Sequence, residues 1–553
     1  MTVIPDLQTT LLFLPELVLI VLATFIFVAG AFRPHATWWP IFAALSFLAT
    51  LAITLTELRL MVVDGSALPT GPLLIDYLGQ LVRPLALLVG FLFAVLMSHS
   101  SGPQLVSERM GTLLLAIVGL MLVARANELV FLFLGLEMVS IPTYVLLYLG
   151  RKERGGSEAT AKYFFLSLLA SALFLYGLSF LYGVGGTTLI QGIPDAPGLR
   201  EKLAALPAAA TGKMVLAGKE ISVGTGLGVF LPVALVLIVA GLGFKIAAVP
   251  FHFYAPDVYE GTSSANAGLL AVVPKIAGIT ALIRLVVPLF GGTAFAWQLA
   301  VILAIATMTF GNICALWQSS LRRLLAYSSI AHSGYLLIGV AVALSTVSAE
   351  LRAGGVAATV FYLAVYGLAS LGSFAALTYL SSDRESVDRI DQLAGLNRSQ
   401  PWVAGALAVC LFSLAGIPIF AGFWGKFALF TSALDVATTG PASGNIALWF
   451  LVLAVVGALN AAIAAAYYLR VIAAMYFQPA ADRLPAQGGI GSYASMFVAT
   501  LLVILVGLLP RAGLLSARTA GEATVAVTST STKNTNLNLP AAGVLTESTT
   551  QRD

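Results

Sequence analysis

Five ionisable side chains stand inside long apolar runs of this 553-residue chain: Glu137, Lys162, Lys245, Lys275 and Lys426. Glu137 lies in NELVFLFLGLEMVSIPTYVLLYLG and Lys162 in EATAKYFFLSLLAS. Lys245 lies in VLIVAGLGFKIAAVPFHFYAPDVYEG, Lys275 in LLAVVPKIAGITALIRLV, and Lys426 in LFSLAGIPIFAGFWGKFALF. A charge at bilayer depth costs at least about 2.5–3.5 kcal/mol, so each needs a reason. In general, desolvation disfavours a charged lysine and a nearby carboxylate favours it again. A buried lysine can therefore change protonation when its partner moves, and a row of such groups bridged by water is a proton relay. The competing explanation is a structural ion pair, or a side chain reaching back to the headgroups. For Lys162, one turn into its run, snorkelling explains the charge equally well. Lys245, Lys275 and Lys426 have apolar residues on both sides and few acidic residues available to neutralise them.

Two histidines adjoin these runs. His332, in RRLLAYSSIAHSGYLLIG, is a candidate relay member because imidazole titrates near neutral pH and holds protons on two ring nitrogens. His252 reads more simply as a packing residue. Asp257 and Glu260, in APDVYEG, read as cap and loop residues, and Asp76 and Arg83 as a structural pair on one helical face.

The backbone gives a second signal. Pro250 and Pro418 fall inside apolar runs, and proline removes a helical hydrogen bond. The surrounding segments, AAVPFHFYAPD and AGIPIFAGFWG, resemble each other. Interrupted helices at corresponding places in two halves point to an inverted-repeat transporter with its path near the midplane.

The elements that hold these residues must be membrane helices. The chain is 59% hydrophobic and 10% charged, with a mean hydropathy of +0.95. A soluble domain carries roughly 25% charged residues, so 29 Lys+Arg and 25 Asp+Glu cannot cover a water-facing surface of this size. The net charge of +4 offers no basic patch for nucleic acid. Cys314 and Cys410 lie in apolar runs, which leaves neither a disulfide framework nor a cysteine metal site.

Runs of about 20 apolar residues give fourteen spans: 11–32, 38–58, 74–97, 110–124, 127–149, 158–182, 230–254, 265–288, 295–317, 323–344, 355–380, 401–434, 445–476 and 493–510. The expectation is an all-α polytopic membrane protein, with a transmembrane domain over 1–518, an extramembrane loop at 183–222 and a disordered tail at 519–553. No basic segment precedes the first span, which is therefore read as retained rather than cleaved. Arg33, Arg109, Arg151, Lys152, Arg154, Arg322, Arg323, Arg384, Arg389, Arg398 and Arg483 gather on one side, against Arg59, Arg125 and Arg352 opposite. The positive-inside rule makes the first side cytoplasmic and puts both termini outside.

The motifs GFKIAAVPFHFYAPDVYEG, VPKIAG, LRRLLAYSSIAHSGY and SLAGIPIFAGFWGKF resemble the antiporter-like membrane subunits of respiratory complex I, over about residues 10–510. The resemblance implies fourteen helices and a bacterial inner-membrane complex. It pairs Glu137 with Lys245 of the broken seventh helix and makes Lys162 a residue that tunes that pair. Lys275 becomes the central lysine and Lys426 the terminal one. It also implies no cofactor in this chain: FMN and iron–sulfur clusters would lie in partner subunits, with quinone as the substrate of the complex. The sequence agrees in having no cysteine cluster and no Gly-rich nucleotide fingerprint. Expected partners are the other membrane and peripheral subunits and the bilayer. An Mrp-type cation/proton antiporter, the equivalent subunit of a membrane-bound hydrogenase, and a purely structural scaffold remain open alternatives.

Overall fold

The computed structural model describes residues 12–534, apart from 34–35, 62–67, 100–104, 151–153, 195, 206–210, 217–218, 225, 382–386, 440–444 and 480–487. Among the described residues, twelve helices are long and apolar enough to cross a membrane; the shorter apolar helices Phe230–Lys245 and Pro401–Ala415 complete the expected fourteen spans. In order these are α1 (Leu14–Phe32), α2 (Trp39–Met61), α3 (Tyr77–Leu96), α4 (Val106–Arg125), α5 (Leu129–Tyr148) and α6 (Arg154–Gly185). After the short α7 (Leu199–Ala204) come α8 (Gly226–Lys245), the short α9 (Tyr254–Gly261) and α10 (Ser264–Ala281). A π-helical stretch, Leu282–Val286, and α11 (Val287–Phe290) extend α10. The remainder are α12 (Ala294–Leu316), α13 (Leu321–Leu344), α14 (Ala349–Leu380), the one-turn α15 (Leu396–Ser399), α16 (Pro401–Ala415), α17 (Ala421–Thr439), α18 (Ile446–Phe477), α19 (Gly489–Leu508) and α20 (Pro510–Asn534).

The span read as 401–434 is two helices, α16 and α17, and the seventh span likewise ends at Lys245 before α9 begins. Each interruption is the fourth of five consecutive spans, α4 to α10 and α12 to α18. An odd number of crossings starts the second set on the opposite side of the membrane, so the repeats are inverted. Both breaks use one device. At the end of α16, Gly416 takes φ +89°, and the N–H groups of Gly416 and Ile417 return to Ser413 O and Phe412 O at 3.1 Å each. At the end of α8, Ala247 takes φ +55°, and Ala247 and Ala248 N–H return to Phe244 O and Gly243 O at 2.9 and 2.8 Å. These are two Schellman closures, one built on glycine and one on alanine.

α10, α13 and α14 form the interior. The apolar windows of these helices are 94–100% buried, whereas α1, α18 and α19 have only a third of theirs buried and turn the rest outward. α13 carries the lowest hydropathy of the spans, because Ser328, Ser329, His332 and Ser333 are all buried on it. Small residues let backbones approach: a Cβ on Gly334 would meet the Met308 backbone nitrogen at 2.5 Å.

The 183–222 region holds the end of α6, then α7, then a hairpin pairing Thr211–Leu216 with Lys219–Gly224. Residues 519–534, expected to open the tail, are helical. α20 continues through residue 519 to Asn534 and packs along α14, with Ala517, Ala520, Thr524 and Val525 buried. A Cβ on Gly521 would meet Ala353 O at 2.3 Å. Its contact stripe is mostly Ala, Gly and Thr, with Val525 the one larger aliphatic among the buried residues named, so apolar periodicity does not reveal it. Residues 535–553 lie outside the described residues.

Candidate functional site

α8 ends at Lys245, and the break directs its side chain between α5 and α6. Lys245 Nζ lies 3.3 Å from Glu137 Oε1 and 3.4 Å from Ser171 Oγ, and it donates to Ser140 Oγ. Ser171 Oγ donates to the same Glu137 oxygen, so one serine from α5 and one from α6 brace the pair. Lys245 is buried and Glu137 is 19% exposed. Glu137 and Ser140 are neighbours across one helical turn of α5, which places both on the face toward α8.

The loop after Lys245 is tied to the interior. Ser333 Oγ donates to Ile246 O and sits 3.3 Å from Ser329 O. Lys275 of α10 donates to that Ser329 carbonyl, to Ser329 Oγ at 2.6 Å and to Tyr366 OH at 3.3 Å. Its ammonium also lies 4.7 Å from the Tyr366 ring centre. The Tyr366 hydroxyl lies 2.8 Å from Ser329 Oγ and 3.1 Å from Ala271 O. Lys275 thus rests among neutral oxygens and an aromatic face, in contrast to the carboxylate beside Lys245.

His332 stands one turn along α13, with its ring 5.0 Å from that of Tyr366. Nδ1 is 2.5 Å from Tyr362 OH and Nε2 is 3.0 Å from Tyr468 OH. Both ring nitrogens are therefore engaged, and a neutral imidazole must accept at one and donate at the other. Such a ring can pass a proton by exchanging tautomers with its phenol partners. Tyr335 continues the line toward Lys426, whose ammonium is 4.8 Å from the Tyr335 ring centre. Lys426 of α17 reaches back across the break and donates to Leu414 O at 2.8 Å and Ala415 O at 2.9 Å, the last carbonyls of α16. These form the negative end of the half-helix dipole, a natural seat for a cation.

Lys162 stands apart from this axis. It pairs with Glu158 Oε1 at 2.8 Å and Asp257 Oδ2 at 3.0 Å, and is 41% exposed. Arg323 joins the same cluster, 3.0 Å from Asp257 and 2.9 Å from Glu260. Asp257 and Glu260 are thus ion-pair partners on α9 rather than loop caps. Asp76 and Arg83 also part company: Asp76 pairs with Arg284, and Arg83 with Glu16 at 2.8 Å and Glu57 at 2.9 Å. Helical spacing made the two neighbours on one face, but α1, α2 and the α10 extension bring stronger partners. His252 packs edge-on to Phe310, with ring centres 4.4 Å apart.

A family model described as NADH:quinone oxidoreductase/Mrp antiporter, transmembrane, matches residues 126–458. The chain belongs to that family. NADH-quinone oxidoreductase subunit N of Rhodospirillum rubrum is 35% identical over 524 residues, covering 92% of this chain and 96% of the relative. Subunit N 2 of Roseiflexus castenholzii is 37% identical over 405 residues, covering 73% of this chain and 74% of the relative. Among solved structures, respiratory complex I from Thermus thermophilus with bound aureothin contains a chain that matches with a TM-score of 0.69 at 28% identity, over 91% of this chain and 98% of that one. A chain of the Mrp complex from a Dietzia species shares the fold with a TM-score of 0.74 at 21% identity, over 93% and 99%.

The region matched by the NADH:quinone oxidoreductase/Mrp antiporter family contains Glu137, Lys162, Lys245, Lys275, His332 and Lys426, together with both breaks. Sequence reasoning singled out the charged candidates and not the hydroxyls that lie between them: Ser140, Ser171, Ser329, Ser333, Tyr362, Tyr366 and Tyr468. Serine, threonine and tyrosine are common in membrane helices as back-bonding or interface residues, as with Thr359 Oγ1 donating to Gly355 O at 2.8 Å. The one usable signal was density: the segment AYSSIAHSGY packs three serines, two tyrosines and a histidine into a buried span.

Proposed function

We propose that this chain is a proton-translocating membrane subunit of a bacterial NADH:quinone oxidoreductase. The observation that carries the reading is the buried line from Glu137 and Lys245, through Lys275 and His332, to Lys426, each step bridged by a hydroxyl, a carbonyl or an aromatic face. Quinone reduction in partner subunits alters the field at one end, Glu137 and Lys245 separate or re-pair, and protons shift through Lys275 toward Lys426 before release outside. Because the groups interact, they titrate as a set and no single pKa belongs to one residue. On this reading Lys162 adjusts the field at the Glu137 end from the surface cluster. FMN and iron–sulfur clusters belong to the partner subunits, and the protein sits in the inner membrane with both termini outside.

The identity to subunit N relatives favours this reading over a stand-alone Mrp-type antiporter, for which the structural likeness supports the fold alone. The test is Lys245→Ala in a fully assembled complex: NADH oxidation should no longer drive proton translocation. Normal pumping would sink the assignment. Cation-dependent proton exchange by the purified chain, with no electron donor, would favour the antiporter.

A further inference from the structure

A second buried charged site lies away from the relay, where α1, α2, α3 and α4 meet the extension of α10. Arg83 of α3 clamps Glu16 through Nε and Nη2 at 2.8 and 3.0 Å, and donates from Nη1 to Glu57 Oε2 at 2.9 Å. Asp76 accepts the Gly79 N–H at 2.9 Å, capping α3, and pairs with Arg284. Arg284 also donates from Nε to Ala124 O at 2.8 Å. Arg125, at the end of α4, donates to Leu12 O at 2.6 Å. Thr54, Glu57, Asp76, Gln80, Arg83 and Arg125 line one small cavity between these helices.

Two oxygens in this cavity have no donor among the described residues: Glu57 Oε1 and Gln80 Oε1, both shielded from solvent. A buried acceptor without a donor costs about 1–3 kcal/mol. Two such acceptors facing one cavity call for a donor between them. Arg83 Nη1 donates to the other carboxylate oxygen, Glu57 Oε2, Arg125 Nη1 donates to Leu12 O, and Thr54 Oγ1 gives its proton to Thr50 O at 2.9 Å. A proton on Glu57, donated to Gln80 directly or through one water, satisfies both oxygens at once. A small polar site of this kind holds a water when two or more polar partners converge on it.

The geometry points to Glu57 as a proton-binding site, separate from the central axis, whose acid proton is shared with Gln80 Oε1. With Glu57 ionised, the carboxylates of Glu16, Glu57 and Asp76 match the guanidiniums of Arg83, Arg125 and Arg284; taking up a proton leaves one positive charge in excess. Arg284 sits within the π-helical stretch Leu282–Val286, on the continuous helix that carries Lys275. Single π turns recur at functional positions. Here the turn lies where the ion network grips that helix, through Arg284 and Asp76, and Asp76 lines the same cavity as Glu57.

The test is infrared spectroscopy of the purified full-length chain at equilibrium, without electron donor, so it is independent of whether the relay pumps. The wild type should show a protonated-carboxylic-acid carbonyl band as the pH is lowered. Glu57→Gln, which keeps the shape and an acceptor for Arg83, should lose that band. Gln80→Leu, which removes the acceptor, should retain the band but shift it to higher frequency. A spectrum unchanged by Glu57→Gln would overturn the assignment. A band lost in Glu57→Gln but unmoved in Gln80→Leu would overturn the shared proton.

Discussion

The ammonium of Lys426 rests 2.9 Å from the carbonyl oxygen of Ala415, the last residue of the half-helix that precedes it across the break. A lysine on one half of an interrupted helix thus closes the exposed end of the other half. Replacing it by methionine leaves the Leu414 and Ala415 carbonyls without that donor, at a cost of about 1–3 kcal/mol. Lys426→Met should therefore lower the thermal unfolding midpoint of the purified chain as well as stop proton transfer. A variant as stable as the wild type would show that the carbonyls do not depend on the lysine.

The two breaks give opposite glycine predictions. Gly416→Ala places a Cβ at φ +89°, 3.0 Å from Lys426 Cδ, and should destabilise by about 1–2 kcal/mol. Ala247 already carries that penalty at φ +55°, so Ala247→Gly should be neutral or stabilising by up to about 1 kcal/mol. Denaturant or thermal melts of the two variants, compared side by side, check the sign.

Ser140 of α5 and Ser171 of α6 both hydrogen-bond to the Glu137–Lys245 pair. Hydrogen bonds to charged groups contribute about 1.5–3 kcal/mol. Loss of either serine as alanine should slow pumping by about tenfold or more, since about 1.4 kcal/mol is a factor of ten. The double variant should fall short of the product of the single effects, because both serines act on one pair. Proton uptake by reconstituted complex, measured in a mutant cycle, reports both quantities.

His332 depends on two phenols. Tyr362→Phe and Tyr468→Phe each keep the ring and remove one hydroxyl, leaving one imidazole nitrogen without its partner. Each should cut the proton-transfer rate by at least about tenfold on the same scale, with the complex still assembled. Full pumping in both variants would remove His332 from the path.

Composition and run length were enough to fix the membrane class, the number of spans and the positions of Glu137, Lys245, Lys275 and Lys426, because a charge in an apolar run is visible one residue at a time. Both breaks were also readable, from Pro250 and Pro418 and the likeness of the segments around them. What was not readable is the residue that turns left-handed at the first break, since nothing in IAAVP marks Ala247. Partners were a different matter. Whether Arg83 meets Asp76 on its own helix or Glu16 and Glu57 on others depends on how four helices pack, and no spacing rule encodes that. The same holds for Lys162, whose neighbour Asp257 is supplied by the short helix beyond the break. It holds as well for the serines and tyrosines that join one lysine to the next. Hydrogen bonds between spans are made by distance and direction, and those exist only once the helices are in place.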